Sequence, residues 1–134
     1  MAKQKERAPP GGFAGIPRIV MESSDYMHLS FKAKALLVEL AYQYKGNNNG
    51  DLTAAPAVLK ARGWKRAATI STTVTELVDA RLVIKTREGK FLNPGGRCAL
   101  YAVTWQPVNE CPGKNLDVPA TITPPRKFSM ERND

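Results

Sequence analysis

The chain has 134 residues, 43% of them hydrophobic, which is enough for one modest core with tails and argues against a second independent domain. Its net charge of +8 and sequence pI near 9.7 favour a polyanionic partner. The chain has no run of 18 apolar residues, and its charged start lacks the apolar segment of a secretory signal. We therefore expect a cytoplasmic protein with no membrane partner.

The beginning of the chain changes character twice. Residues 1–12 are charged and then rich in proline and glycine, so we expect a disordered basic arm. The apolar, proline-containing residues that follow predict an extended lead-in packed on the core. Ser30 is a suitable N-cap, and the apolar residues after it recur at helical spacing: Ala33, Leu36, Leu37, Leu40, Ala41 and Tyr44. This pattern predicts the first helix of a domain that covers residues 13–106.

The segment 46–51, Gly-Asn-Asn-Asn-Gly-Asp, has the oxygen-rich composition of a calcium loop. It lacks the spaced carboxylates and the closing glutamate of such a loop. We therefore expect no metal here, but a turn in which glycine and asparagine supply positive φ angles.

A helix-turn-helix is predicted next. Residues 52–62 read as a short strand and a short helix, with Pro56 in the first helical turn and Gly63 ending the helix. Residues 68–80 carry apolar side chains at Ile70, Val74, Leu77 and Val78, which is helical spacing. Two helices joined by a tight glycine turn are the defining feature of this motif.

Two strands follow the second helix. Residues 82–87 and 98–105 are rich in β-branched and aromatic residues, and the segment between them contains Gly89, Asn93-Pro94 and Gly95-Gly96. The predicted fold is α+β, a winged helix-turn-helix of three helices plus a small antiparallel β-hairpin wing. Residues 107–134 are punctuated by proline, and we expect an extended Pro-rich tail that wraps the domain or hangs free. Trp105 is expected to anchor the core or the tail.

The positive charge concentrates on this motif. Residues 60–97 contain nine basic side chains against only three acidic ones, Glu76, Asp79 and Glu88. The basic residues are Lys60, Arg62, Lys65, Arg66, Arg81, Lys85, Arg87, Lys90 and Arg97. Such a concentration favours a nucleic acid, because each neutralised phosphate releases condensed counterions.

Several segments resemble a largely uncharacterised group of small helix-turn-helix proteins from bacterial chromosomes, phages and plasmids. The matching segments are 48–52 (Asn-Asn-Gly-Asp-Leu), 62–64 (Arg-Gly-Trp), 100–105 (Leu-Tyr-Ala-Val-Thr-Trp) and the tail from Glu110-Cys111 to Leu116-Asp117-Val118. The resemblance covers most of residues 13–127. It implies a winged helix-turn-helix fold and a tie to mobile elements, and the wider class suggests transcription regulation or replication.

The wider winged-helix pattern begins at Thr69, Ile70 and Ser71 and is then broken at two positions. Thr72 stands where a basic residue is frequent, so bidentate reading of guanine is not available there. Arg81 stands where a glycine often closes the recognition helix in the left-handed conformation, at a cost on the order of 1 kcal/mol for arginine.

The leading prediction is a DNA-binding protein that inserts the amino end of its second motif helix into the major groove of duplex DNA. Basic residues before this helix would hold the backbone, its hydroxyls would face bases and phosphates, and the wing would hold the adjacent groove. The predicted contacts are Lys65, Arg66, Thr69, Ser71, Thr72, Thr75, Lys85, Arg87, Lys90 and Arg97.

Other functions and partners stay open. A winged-helix module that docks on a host or phage protein is the alternative, favoured by the few basic residues on the second helix. An enzyme is not expected, because His28 is the single histidine and no phosphate-cradling or catalytic motif is present. Cys98 and Cys111 are expected to be reduced thiols, although their spacing allows a disulfide. No cofactor is predicted, and a homodimer is an open possibility.

Overall fold

A computed structural model describes residues 9–90 and 96–131 of the chain. Most of the predicted basic arm and residues 91–95 of the predicted wing loop lie outside these ranges. Within them the fold is mixed α+β, with five α-helices, one short 3-10 helix and a three-stranded antiparallel sheet. The α+β class predicted from the sequence is therefore confirmed, although five helices stand where the sequence predicts three.

The two additional helices lie in the segment predicted as an extended lead-in. Helix α1 spans Arg18–Met21 and helix α2 spans Ser24–Met27. The carbonyl of Pro17 accepts hydrogen bonds at the start of α1, and the hydroxyl of Ser23 accepts from the Tyr26 N–H at 3.2 Å at the start of α2. The extended prediction is wrong from Arg18 onward, because helices of four residues are too short to show a helical period.

Helix α3 spans Phe31–Gln43 and begins after Ser30, as predicted. The Ser30 hydroxyl accepts from the Ala33 N–H at 3.1 Å. Both the N–H and the hydroxyl of Ser30 also donate to the carboxylate of Glu76, each at 2.7 Å. The predicted stripe from Ala33 to Ala41 is buried, and Tyr44 is the half-buried C-cap.

The turn after α3 uses its glycines and asparagines differently. Gly46 and Gly50 adopt φ angles of +98° and +126°, as expected. The expectation of positive φ is wrong for the asparagines of this turn, two of which act through their side chains instead. Asn48 bonds to the backbone of Gln43 and Lys45, and Asn49 is fully buried. An asparagine amide can satisfy backbone groups without the cost of a left-handed conformation.

The sheet has the strand order β1-β3-β2, with β1 at Leu52–Thr53, β2 at Val83–Arg87 and β3 at Leu100–Val103. The predicted antiparallel pairing of the last two strands is present, with shorter strands than predicted. The side-chain amide of Gln43 donates to the carbonyl of Thr53 and accepts from its N–H, at 2.9 and 2.8 Å. This pairing satisfies the outer edge of β1.

Helix α4 spans Pro56–Lys60 and helix α5 spans Ala67–Asp79, with Gly63 at φ +103° in the turn between them. Arg81 closes α5 in the left-handed conformation, at φ +61°. Its N–H donates to the Val78 carbonyl, and the Leu82 N–H donates to the Leu77 carbonyl. These bonds form a Schellman motif, which satisfies the last carbonyls of the helix.

The tail packs along the domain. Val108, Cys111 and Phe128 are buried, and Phe128–Met130 forms the 3-10 helix. The N–H of Asp117 donates to the Thr86 carbonyl at 2.7 Å, next to the sheet. Of the two alternatives for the tail, wrapping the domain is therefore the one observed for residues 107–131.

The aromatic and thiol side chains behave as expected. Trp105 is half-buried and packs against the core. Cys98 is exposed, Cys111 is buried, and both are free thiols. Burial raises the pKa of the Cys111 thiol, which therefore stays protonated at neutral pH.

Candidate nucleic-acid interface

Helix α5 divides cleanly into a buried and an exposed face. Ile70, Val74 and Leu77, which the sequence places at helical spacing, are buried and anchor the helix to the core. Thr73 is also buried, and its hydroxyl donates to the Thr69 carbonyl at 2.6 Å. The exposed face is formed by small and polar side chains: Ala67, Ala68, Ser71, Thr72, Thr75 and Asp79.

The hydroxyls of this face have defined hydrogen-bonding roles. Thr72 donates to the Ala68 carbonyl and Thr75 donates to the Ser71 carbonyl, both at 3.0 Å. Because each hydroxyl hydrogen is used inside the helix, the outward lone pairs remain as acceptors. These two side chains therefore match donors on base edges, such as the amino groups of adenine and cytosine, better than phosphate oxygens. Thr69 is half-buried and contributes less surface.

The start of α5 is basic and lacks a side-chain cap. Arg66 is the N-cap residue in an extended conformation, and no side chain accepts from the first N–H groups. Lys65 and Arg66 are both exposed, and the first turn has no acidic residue. Uncapped N–H groups and the positive end of the helix dipole favour an anion at this position. The exposed hydroxyl face begins within one turn of it.

The turn before α5 adds a cation that the sequence prediction did not assign. Lys60 ends α4 and is exposed, with no ion pair among the described residues. Arg62 is instead occupied, since its Nε donates to Glu39 at 2.9 Å and its guanidinium lies 4.1 Å from the centre of the Tyr42 ring. The helical position of Lys60, at the last turn of α4, is the signal that could have identified it.

Two arginines of the predicted wing make hydrogen bonds or ion pairs within the protein. Arg87 donates through Nε and Nη2 to the Cys98 carbonyl and through Nη1 to the Lys114 carbonyl, at 2.7–3.1 Å. Arg97 lies 3.5 Å from Asp117 and is mostly covered. Both side chains therefore attach the strand pair to the tail, a role that the sequence analysis did not foresee.

The two lysines of the strand pair are more accessible. Lys85 is exposed in the middle of β2 and lies 3.3 Å from Glu88. Lys90 is exposed and forms an isolated backbone bridge with Arg97, with both N–H···O distances at 2.9 Å. The ten predicted contact residues thus fall into two groups. Six lie on α5 and the residues just before it, and four lie on β2 or between β2 and β3.

Fewer positive charges are accessible near the motif than the number of basic residues suggests. Of the nine basic residues between positions 60 and 97, five contact carboxylates or carbonyls of the protein: Arg62, Arg81, Lys85, Arg87 and Arg97. Within the described ranges, the four without such a contact are Lys60, Lys65, Arg66 and Lys90. Three of these four surround the turn between α4 and α5, so accessible positive charge is densest there.

No family model, curated protein or solved structure matches the chain. In the described part of the chain, no three His, Cys, Asp or Glu side chains group so as to hold a metal ion. The helices within residues 9–90 and 96–131 are too short or too polar to cross a bilayer. His28 is exposed at the end of α2, where its ring Nδ1 lies 2.8 Å from the Ser24 carbonyl.

Proposed function

We propose that the protein is a winged helix-turn-helix that binds duplex DNA, with α5 as the recognition helix. The order α3-β1-α4-α5-β2-β3 and the sheet order β1-β3-β2 are those expected for a winged helix, which supports the proposal. The observation that carries it is the exposed hydroxyl face of α5, which starts at two accessible cations. In this role the protein is a binding protein rather than an enzyme.

In the proposed complex, the amino end of α5 enters the major groove. Lys60, Lys65 and Arg66 bind phosphates on one side of the groove, and Lys85 and Lys90 bind phosphates near the strand pair. Ser71, Thr72 and Thr75 face the base edges. The resemblance to proteins of phages and plasmids supports a regulator of transcription or replication in a bacterial mobile element, acting in the cytoplasm.

A direct test removes the two cations at the start of α5. The double variant Lys65→Ala/Arg66→Ala should weaken binding to a random-sequence duplex and lower the slope of log affinity against log salt by about 2. Fluorescence anisotropy over a series of salt concentrations measures both quantities. The matched control is Arg18→Ala/Lys45→Ala, which removes the same charge from two exposed sites away from α5. Equal slopes for the two double variants would refute the role of α5.

One observation favours a second function, docking on a host or phage protein. Helix α5 carries no lysine or arginine between Ala67 and Asp79, and its exposed face ends in an acidic residue. In that case the protein would not bind duplex DNA at physiological salt and would co-purify with a specific protein. Duplex binding that depends on Lys65 and Arg66 would exclude it as the main activity.

A further inference from the structure

Helix α3 carries an apolar stripe on the face that points away from the core. The stripe consists of Phe31, Ala35, Val38 and Tyr42. Phe31 is 86% exposed, Val38 51% and Tyr42 53%, and Ala35 is also exposed. Successive spacings of four, three and four residues are those of a coiled-coil seam. Large exposed apolar residues in one line mark an association surface more often than chance exposure does.

Charged side chains border the stripe, and one of them partly covers the Tyr42 ring, which stays 53% exposed. The Lys34 ammonium lies 5.7 Å from the centre of the Phe31 ring, and the Arg62 guanidinium lies 4.1 Å from the centre of the Tyr42 ring. Glu39 accepts from Arg62 at 2.9 Å beside the seam. The charged groups lie at the two ends of the stripe, and its four members remain exposed.

The stripe is complementary to itself when a second helix runs in the opposite direction. Phe31 then lies opposite Tyr42 of the second copy, and the small Ala35 lies opposite the larger Val38. The same alignment brings Lys32 near Glu39 of the second copy, and twofold symmetry repeats each contact. A parallel alignment would instead place Phe31 on Phe31 and Ala35 on Ala35, and the layer of two small alanine side chains would leave a gap in the seam.

We propose that two copies of this chain associate antiparallel through the α3 stripe to form a twofold-symmetric dimer. The inference rests on the α3 stripe and does not depend on DNA binding. A helix of 13 residues is about 20 Å long, so the seam is smaller than a standard interface. Phe13 is 83% exposed and lines the same cleft as Tyr42, which extends the apolar surface at each end of the seam. The dimer should therefore form in the micromolar range.

Sedimentation equilibrium of the full chain from about 1 to about 200 μM tests the proposal. The mass should rise with concentration toward twice 14.7 kDa. Val38→Glu should keep the mass at that of the monomer at every concentration, with an unchanged circular dichroism spectrum. The matched control is Ile122→Glu, because Ile122 is 96% exposed on the tail. This variant should dimerise as the parent protein does. A parent protein that stays monomeric, or a Val38→Glu variant that still dimerises, would overturn the proposal.

A charge reversal tests the antiparallel alignment. Lys32→Glu should weaken the dimer at least fivefold, since it places two carboxylates together at each end of the seam. Lys127→Glu makes the same change of net charge at an exposed site on the tail and should not weaken the dimer. Equal dimer affinities for the two variants would overturn the alignment. Because each copy carries +8, added salt should strengthen the dimer, whereas it weakens binding to DNA.

Discussion

At the scale of single residues, Asn49 joins three separate parts of the chain. Its side-chain carbonyl accepts from the Val103 N–H at 2.8 Å, and its amide group donates to the carbonyls of Val103, Gln106 and Pro107. Its backbone N–H donates to the side chain of Asn109. A fully buried amide with every polar atom satisfied fixes the turn, the central strand and the start of the tail in one arrangement.

Replacing Asn49 with alanine should therefore be strongly destabilising. The change leaves the buried Val103 N–H without its acceptor and should lower the free energy of unfolding by about 2–4 kcal/mol. Urea denaturation measures the loss. Asn47→Ala is the control, because Asn47 is exposed in the same turn and should change stability by less than about 0.5 kcal/mol. Equal effects of the two substitutions would show that the buried network does not matter.

The sequence predicted residues well where their role is local. Ser30 as a cap and Ile70, Val74 and Leu77 as anchors follow from neighbours within one or two turns of helix. Arg87 and Arg97 were predicted only as phosphate contacts. Their contacts within the protein, with Lys114 and Asp117, come from a tail segment about 20 residues or more away in sequence, and no periodic pattern reveals such contacts.

At the scale of elements, Arg126 attaches the tail to two helices. Its guanidinium donates to the carbonyls of Ala80 and Arg81 at the end of α5, to Asp25 of α2 at 2.8 Å, and to Glu131. It also stacks 4.2 Å from the centre of the Phe128 ring. The hydrogen bond to Arg126 lowers the pKa of Glu131, so this attachment is present near neutral pH and weakens as acid protonates the carboxylate.

Arg126→Met should release the end of the tail while keeping an apolar stem over Phe128. We expect faster cleavage between residues 112 and 131 in limited proteolysis and a loss of about 1–3 kcal/mol of stability. Lys127→Met is the control, because Lys127 is exposed and has no ion pair among the described residues. A cleavage rate for Arg126→Met equal to that of the control would contradict the attachment.

Helices and strands were predictable to the extent that they repeat a pattern. Helices α3 and α5 are both 13 residues long and show a clear helical period, and α4 is marked by Pro56 and Gly63. Helices α1 and α2 have one turn each and show none. The position of the tail depends on contacts such as those of Arg126, which link residues up to 101 positions apart. The sequence alone therefore does not distinguish a tail that wraps the domain from one that hangs free.

At the scale of the whole molecule, the positions of the accessible positive side chains say more about a binding surface than the net charge does. The +8 of the chain suggests a broad basic surface, but contacts with the tail, α2 and α3 occupy most of the arginines near the motif. Lys60, Lys65 and Arg66 remain accessible around one turn. In the proposed complex, attachment to DNA would therefore rest on a small cluster at the start of α5, and selectivity on the hydroxyl acceptors of its exposed face.

Selection from a pool of random duplexes at about 150 mM salt tests this central claim most directly. We expect enrichment of a short motif in which the amino groups of adenine or cytosine face the major groove, and relaxed preference at one position for Thr72→Val. We also expect loss of enrichment for Lys65→Ala/Arg66→Ala. If the pool stays as random as the input after repeated rounds with the folded parent protein, the proposed DNA binding is contradicted.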